Sequence, residues 1–222
     1  MEDTVTLCLA SCNRFDLLEK TLDSFFSLNT YPINEFLITE DSTNADMKDK
    51  ILNKYGNKIK LIFNEVNLGP YKTFDNMYQQ ATSKFIFHCE DDWLFESNPN
   101  FMKDSIDILN ERDNVHQVWI RKTDVDAWLE KQSLMTSTKV LYKMVKSPHL
   151  GDWCGFSGNP GLRRKADYDR IFPNGYSEFK VPGFVGLTEH NCNLHAAKHG
   201  WRAASLTNAA IVHIGNGRTT IK

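Results

Sequence analysis

At 222 residues and 25.5 kDa, the chain can bury a sizeable core as one globular unit, or at most as two closely packed lobes. Its 41% hydrophobic and 24% charged residues are ordinary for a globular protein, and we find no low-complexity segment. The net charge of −2 gives no general electrostatic reason to bind nucleic acid or an anionic membrane, so we expect no nucleic-acid partner.

Cysteine usage and hydropathy indicate the compartment. The five cysteines are dispersed and contain no Cys-x-x-Cys pair, which favours a reducing compartment over a disulfide framework or a zinc ribbon. No apolar stretch approaches the ~18 residues that mark a membrane span, so the sequence predicts no transmembrane segment. The acidic N-terminus leads directly into a strand pattern and does not resemble a targeting signal. We expect a cytoplasmic protein, and the oligomeric state is left open.

Strand and helix patterns alternate along the first 95 residues. Val5, Leu7 and Leu9 alternate with polar residues, which predicts a first strand. A helix capped by Asn13 follows. Further strands are predicted near residues 36–38, 59–63 and 85–89, with helices near 46–55 and 71–82 between them. This alternation predicts βαβ units and an α/β fold, with a mostly parallel sheet flanked by helices in a single compact domain.

The rest of the chain contains weaker signals. Helices are predicted near residues 100–112, 164–172 and 188–199, the last of them stopped by Gly200. Strands are predicted near 115–120, 140–145 and 209–214. Loops are predicted over 181–187 and over 151–161, where glycine and aromatic residues are concentrated.

An acidic triplet follows the fourth predicted strand. The apolar run of residues 85–89 leads directly into Glu90, Asp91 and Asp92. Adjacent carboxylates repel one another unless a cation lies among them, and hard divalent cations prefer oxygen ligands. The carboxyl ends of strands are also where open α/β sheets bind ligands. The sequence therefore predicts a divalent metal site at this edge of the sheet.

The second predicted strand also ends in acids, Glu40 and Asp41. No glycine occurs between Met1 and Tyr55, which excludes a Walker A loop or a dinucleotide fingerprint after the first strand. If this sheet binds a nucleotide, it does so by another arrangement.

Four motifs, in this order and spacing, carry a family resemblance: Leu9-Ala10-Ser11-Cys12-Asn13-Arg14, Ile38-Thr39-Glu40-Asp41-Ser42-Thr43, Asn67-Leu68-Gly69 and Glu90-Asp91-Asp92. Together they resemble the nucleotide-binding half of glycosyltransferase family 2, whose enzymes have the GT-A fold. Thr188-Glu189-His190 is similar to the Glu-Asp acid/base motif of that family, and Val212-His213-Ile214-Gly215 to a C-terminal histidine that ligates metal. Residues 1–95 would then form the nucleotide-binding half and residues 96–222 the acceptor-binding half.

The resemblance implies an inverting, metal-dependent glycosyltransferase. Such an enzyme moves a sugar from a nucleoside-diphosphate sugar, here expected to be UDP-linked, to a hydroxyl of a glycan or other acceptor. The resemblance implies that Asp92, Glu90 and His213 ligate Mn²⁺ or Mg²⁺. It also implies that Glu189 is the catalytic base, with His190 as the alternative.

The same resemblance implies two sets of binding residues. The expected nucleotide-binding residues are Ala10, Ser11, Asn13, Arg14, Asp41, Lys72 and Asp91. Aromatic faces stack on the C–H side of pyranose rings, so the 151–161 loop is the candidate sugar or acceptor platform. The expected residues for that role are Trp153, Phe156, Asn159 and Arg163.

Departures from the family pattern keep two other functions open. Glu90 and Glu40 stand where the family usually has aspartate, and His190 stands where the family often has its base. A sugar-nucleotide or glycan-binding module without catalysis is therefore one alternative. A sugar nucleotidyltransferase is a weaker one, because it needs a glycine-rich basic loop after the first strand.

Overall fold

The structure is a computed structural model that describes residues 3–122, 129–146 and 153–218. Its strands, in chain order, are β1 (Val5–Ser11), β2 (Glu35–Glu40), β3 (Lys60–Phe63), β4 (Phe85–Glu90), β5 (Trp93–Phe95), β6 (Val115–Trp119), β7 (Leu134–Met135), β8 (Leu141–Met144), β9 (Gly161–Arg164), β10 (Arg202–Leu206) and β11 (Ile211–His213). Its helices are α1 (Phe15–Leu28), α2 (Ala45–Tyr55), α3 (Pro70–Gln80), α4 (Phe101–Glu111), α5 (Lys165–Ile171) and α6 (Val185–Lys198), with a 3₁₀ helix over Tyr176–Phe179.

Nine of these strands form a central sheet in the order β3-β2-β1-β4-β9-β6-β10-β8-β7. The strands β3, β2, β1 and β4 are parallel neighbours, as are β6 and β10. Strand β9 runs antiparallel between β4 and β6, and β8 runs antiparallel to both β10 and β7. Most strands therefore run in one direction, and the predicted α/β fold with a mostly parallel sheet is confirmed.

Helices cover both faces of the sheet. Side chains of α1, α2 and α4 pack with one face, and side chains of α3, α5 and α6 pack with the other. Strand β4 shows why, because its side chains alternate: Phe85 and Phe87 join the first layer and Ile86 joins the second. None of the helices in the described part of the chain combines the length and hydropathy that a bilayer span requires.

Phe25 of α1 anchors the chain around the acidic triplet. Its side chain is 1% exposed, and its ring lies 5.9 Å from Phe87, 5.2 Å from Phe95 and 6.3 Å from Phe101. These partners belong to β4, β5 and α4, so one buried ring contacts the strands on both sides of the triplet. Burying an aromatic side chain of this size contributes roughly 2–3 kcal/mol, which fixes α1 against the end of β4.

A separate two-stranded sheet follows the triplet. Strand β5 pairs antiparallel with β11, and the register sets His213 opposite Trp93. The backbone N–H of Ile214 also donates to the carbonyl oxygen of Asp92 at 2.9 Å. The pairing therefore brings His213 beside Asp92, although 121 positions separate the two residues in the sequence.

Three local predictions differ from the structure. Helix α1 begins after Arg14, which makes no side-chain cap hydrogen bond, whereas Asn13 was the expected cap and has a φ of 57°. Helix α6 begins at Val185, inside the loop predicted over 181–187. Residues 153–160 form no regular element, as expected for the 151–161 loop, but Gly151 and Asp152 lie outside the described residues.

Strand β10 has no counterpart among the predicted elements. Its sequence, Arg202–Leu206, contains two alanines and a serine, which are poor strand formers by propensity. It forms because it lies in the interior of the sheet, with residues 203–206 buried, so packing overrides propensity. Strands β5, β7 and β9 were also not predicted, and each has four residues or fewer.

Thr21 offers a test of the α1 contact with the triplet. Its buried hydroxyl donates to the Asp91 carbonyl oxygen at 2.8 Å and accepts from the Trp93 N–H at 3.1 Å. Thr21→Val should lower the free energy of unfolding by about 3 kcal/mol, because it leaves two buried backbone groups unpaired. Thr21→Ser keeps the hydroxyl and should cost only about 1 kcal/mol. Denaturant unfolding of both variants is the measurement, and equal losses would contradict the role given to the hydroxyl.

Candidate functional site

The carboxyl ends of β1, β2 and β4 meet at one edge of the sheet. The register pairs Ser11 with Glu40 and Ala10 with Glu90. This places the loops after all three strands side by side, where open α/β sheets bind ligands. A cleft of about 780 Å³ opens there, within the usual range for small-molecule sites.

Glu40 organises the loops below the cleft. Its side chain is fully buried, and it accepts hydrogen bonds from the Ser11 hydroxyl at 3.1 Å and from the backbone N–H groups of Asn13 and Ser42, both at 2.9 Å. A carboxylate that accepts several N–H and O–H bonds replaces the water it loses on burial. Glu40 therefore joins the β1 and β2 loops and is not a ligand-facing group.

Asp41 organises the turn on the other side of the cleft. It accepts from the Asn64 amide at 2.7 Å, from the Leu68 N–H at 2.8 Å and from the Gly69 N–H at 2.9 Å. A carboxylate has about four acceptor positions, so three bonds leave one for a ligand. Asp41 lines the cleft, as expected for a nucleoside contact. Its bonds to the Leu68 and Gly69 N–H groups also hold the Asn67-Leu68-Gly69 turn in shape.

The three acids of the triplet face different surroundings. Glu90 and Asp92 line the cleft, whereas Asp91 is fully buried behind it. The Ser11 hydroxyl lies 3.0 Å from Asp91 and shares its single proton between Asp91 and Glu40, and Asp91 also forms an ion pair with Arg14. Burial raises the pKa of Asp91 to about 6, against the opposing effect of Arg14. Burial, together with Asp92 and Asp91, raises the pKa of Glu90 to about 8.

Arg14 supplies the positive charge for these acids. Besides its ion pair with Asp91, its Nη1 lies 2.9 Å from Asp92 Oδ2, and the same nitrogen donates to the Arg218 carbonyl oxygen at 3.0 Å. The guanidinium lines the cleft. A fixed cation between adjacent carboxylates reduces their mutual repulsion and keeps both side chains in one orientation.

Asp92 has the features of a metal ligand. Among the described residues, its Oδ1 is buried and has no hydrogen-bond partner. Its Oδ2 lies 3.3 Å from Nε2 of His213, which also lines the cleft. No group of three or more His, Cys, Asp or Glu side chains in the described part of the chain is placed to hold a metal ion. A cation here would need ligands from a substrate or from water as well.

The backbone of Gly215 lies directly against the Asp92 side chain. A Cβ added to Gly215 would lie 2.3 Å from Asp92 Oδ2 and 2.8 Å from its Cγ. Separations under 3 Å are not tolerated, so only glycine allows the backbone after β11 to approach the carboxylate this closely. The strand that carries His213 therefore also fixes where Asp92 can point.

Helix α6 forms one wall of the cleft. Thr188 lines the cleft, but the neighbouring Glu189 and His190 do not. The Glu189 carboxylate lies just behind this wall, where it accepts the Gly158 N–H at 3.0 Å. Burial raises the pKa of Glu189, and the Gly158 hydrogen bond, Arg121 and Arg163 oppose that rise.

The predicted sugar platform lies away from the cleft. Phe156 is 1% exposed and packs on Tyr176, with the ring centres 5.0 Å apart. Arg163 is 3% exposed and donates to Tyr78 and to the Ser157 carbonyl.

The other two platform residues, Trp153 and Asn159, are also absent from the cleft lining. Trp153 lies 5.6 Å from Trp119, and the Asn159 N–H donates to the Ser157 hydroxyl at 3.1 Å. The structure therefore does not bring these four side chains to the ligand space.

Of the predicted nucleotide-binding residues, the described cleft is lined by Ala10, Ser11, Arg14, Asp41 and Lys72. Asn13 is exposed beside it, and its side-chain oxygen accepts from the Asn44 amide at 3.2 Å. Sequence reasoning missed a further set of lining residues: Cys12, Tyr71, Thr73, Phe74, Lys180, Val181, Phe184, Val185 and Asn216. Several of them directly follow the recognised Asn67-Leu68-Gly69 turn, which is the signal that would have found them.

The sheet order, the cleft at its carboxyl edge and the acids after β4 define an α/β ligand-binding domain. A sequence profile of glycosyl transferase family 2 matches residues 6–172. That match covers most of the sequence, and the chain belongs to glycosyltransferase family 2, as the motifs implied. A search of the curated proteins found no match.

Several solved structures share this fold. Residues 1–349 of S. aureus TarS align with a TM-score of 0.65 and 17% identity, over 94% of this chain and 59% of that one. The same TarS fragment with UDP-GlcNAc aligns with a TM-score of 0.62 and 16% identity, over 97% and 62% of the two chains. The mannosyltransferase PcManGT from Pyrobaculum calidifontis, in complex with GDP-Man and Mn²⁺, aligns with a TM-score of 0.67 and 16% identity, over 98% and 59%.

These alignments confirm the GT-A-like fold predicted from the motifs. At 16–17% identity, the likeness concerns the fold alone. The present chain spans 59–62% of the length of these neighbours.

Gly215→Ala should disturb the cleft, because the new methyl group displaces the Asp92 carboxylate. We expect the variant to fold, yet to show at least a tenfold weaker Mn²⁺ stabilisation in thermal-shift titrations. Gly186→Ala is the matched control, since no atom lies within 4 Å of an added Cβ there. Equal Mn²⁺ responses of the two variants would show that the close approach to Asp92 has no bearing on the site.

Proposed function

We propose that this chain is the catalytic domain of an inverting, metal-dependent glycosyltransferase. It moves a sugar from a nucleoside-diphosphate sugar, expected to be UDP-linked, to a hydroxyl of a glycan or other acceptor. The observation that carries the proposal is that Asp92 and His213 lie side by side in a cleft at the carboxyl edge of the sheet, and that Oδ1 of Asp92 is buried without a partner among the described residues. The neighbours bound to UDP-GlcNAc and to GDP-Man support a nucleotide-sugar donor.

The donor's nucleoside fits the side of the cleft formed by the β1 loop and the Asn67-Leu68-Gly69 turn. Asp41 has one acceptor position left for the edge of a base, and Lys72 at the start of α3 lines the same space. Ser11 and the backbone of Ala10 form the floor. Asp91 and Asn13 act indirectly in this proposal, because Asp91 orients Arg14 and Ser11, and Asn13 shapes the loop.

Asp92 and His213 are the proposed protein ligands of a divalent metal, whereas Glu90, also expected as a ligand, lines the cleft but is not placed with them as a third one. A carboxylate and an imidazole suit Mn²⁺, with Mg²⁺ as the alternative. When bound, such an ion supplies Lewis-acid neutralisation of the leaving diphosphate. Gly215 and the β5–β11 pairing set the spacing of the two side chains, and Arg14 orients Asp92 from the opposite side.

Glu189 is the proposed base that takes the proton of the acceptor hydroxyl. It follows Thr188 of the cleft wall, and Phe74 and Tyr71 of the same wall lie near it. Its raised pKa places it closer to neutrality, which suits proton transfer at physiological pH. His190 is the alternative base. Direct attack by the hydroxyl inverts the anomeric centre.

One observation favours a non-catalytic binding module as the second candidate. Neither Glu189 nor His190 lines the cleft, so a ligand bound there would reach the base only past Thr188 and Phe74.

A sugar nucleotidyltransferase is disfavoured, because Ser11-Cys12-Asn13-Arg14 contains no glycine to surround a triphosphate.

All five cysteines are unpaired thiols, in keeping with the cytoplasmic location that we propose.

Donor turnover tests the metal assignment. With Mn²⁺ present, we expect release of UDP from UDP-GlcNAc or of GDP from GDP-mannose, and Asp92→Asn should reduce it at least 100-fold. His213→Ala should raise the Mn²⁺ concentration for half-maximal turnover by about tenfold or more. Asp49→Asn, an exposed change on α2, is the control and should change neither quantity. Binding of both donors without any turnover across an acceptor panel would favour the module instead.

The pH profile tests the base. Glu189 acts as a base only when deprotonated, so turnover should fall as the pH drops through a value above the ordinary 4.5 of a glutamate. Glu189→Gln should lower kcat by about 10² to 10⁴ and remove this acid limb while leaving donor affinity unchanged. A raised pKa means that the charged form destabilises the fold at neutral pH, so the melting temperature of Glu189→Gln should be equal or higher. Near-normal activity would exclude Glu189 as the base.

A further inference from the structure

Residues 154–158 run along α6 with alternate backbone N–H groups directed at it. The N–H groups of Cys154 and Phe156 donate to Oδ1 of Asn193 at 2.9 and 3.2 Å, and that of Gly158 donates to Oε2 of Glu189 at 3.0 Å. Glu189 and Asn193 are four residues apart, so both side chains lie on one face of the helix. Three backbone N–H groups of this segment are therefore bonded to two side chains of α6.

The same segment is fixed from the sheet side. The buried Gln117 of β6 accepts the Ser157 N–H at 3.3 Å and donates to the carbonyl oxygens of Ser157 at 3.1 Å and Asn159 at 3.2 Å. Arg163 of β9 also donates to the Ser157 carbonyl, at 2.6 Å. The position of the Gly158 N–H is thus determined by side chains that do not contact the cleft.

We propose that Gly158 is the backbone donor that orients the Glu189 carboxylate, and that Asn193 and Gln117 are positioning residues that keep Gly158 in place. This role rests on the proposed function, in which Glu189 is the base. A single N–H bond to one carboxylate oxygen limits rotation about the last side-chain bond, so the base keeps one orientation toward the acceptor. It also favours the charged form of the carboxylate, which is the form that accepts a proton.

Other charges reach Glu189 from every element around it. They are Arg121 after β6, Arg163 of β9, Glu90 of β4, and the titratable Tyr71 of α3 and Cys192 of α6. None of these is altered by a change at Gly158, but the ring of the buried His88 of β4 also interacts with the Gly158 backbone. Burial lowers the pKa of His88 well below its usual range, so this ring stays neutral, and a shift of the pH profile in Gly158 variants reports the N–H bond.

Gly158→Pro removes the N–H, and Gly158→Ala keeps it. An added Cβ would lie 3.6 Å from Glu189 Oε2 and 3.8 Å from the Phe74 ring, which are ordinary contacts, so the alanine variant is a fair control. With UDP-GlcNAc or GDP-mannose as donor, Gly158→Pro should lower kcat at least tenfold, move the acid limb to higher pH and leave donor KM unchanged. Gly158→Ala should resemble the parent protein. Equal kcat values and pH profiles for the two variants would overturn the proposal.

Asn193 provides a second test that does not alter the backbone. Asn193→Ala removes the acceptor for two N–H groups and should lower kcat without changing donor KM. Asn193→Asp keeps both acceptor bonds and should recover most of kcat. It also places a second carboxylate one helical turn from Glu189, so the acid limb should move to higher pH. Loss of kcat in both variants without a change in the pH profile would indicate a merely structural role and contradict the inference.

Glu189→Gln distinguishes a failure of the base assignment from a failure of the positioning role. If that variant retains transfer, the base assignment fails and the positioning role fails with it. If it abolishes transfer while Gly158→Pro and Asn193→Ala keep the parent kcat and pH profile, the base stands and only the positioning role is wrong.

Discussion

Burial of like-charged carboxylates at one edge of a sheet is the constraint on which this structure depends. Glu40, Asp41, Asp91 and Asp92 are all less than a tenth exposed, and such groups are tolerated only with partners of opposite charge or with several hydrogen-bond donors. These acids are stabilised in more than one way. Glu40 and Asp41 collect backbone N–H groups, and Asp91 is paired with Arg14. The loops that line the cleft take their shapes from these requirements.

Asp92 is the exception, and the site depends on that difference. It shares Arg14 with Asp91, yet one of its oxygens remains without a partner among the described residues. An acceptor left unpaired in a buried site costs free energy that a ligand can recover. The cleft is thus organised around one incomplete carboxylate, and the paired acids around it keep that carboxylate in place.

Much of the structure of residues 1–95 could be predicted, because its strands are apolar runs that end in chemically distinct loops. The triplet shows the limit. Sequence reasoning expected all three acids to face the ligand, with Asp91 on the nucleotide and Glu90 and Asp92 on the metal. In the structure the turn after β4 directs Glu90 and Asp92 at the cleft and buries Asp91 against Ser11 and Arg14. The later half was harder, because β10 and the 154–158 segment depend on distant partners. Phe156 and Arg163 were assigned to a platform by residue type, but packing placed them in the interior.

The pairing of β5 with β11 joins the turn after β4 to the segment that carries His213. Three residue pairs join these strands, and the same segment is also hydrogen-bonded to Ile120 and Lys122 next to β6. In the proposed function, a ligand that bridges Asp92 and His213 would add its binding free energy to this pairing. Occupancy of the cleft would then increase the order of β11, which hydrogen exchange at Val212 would follow.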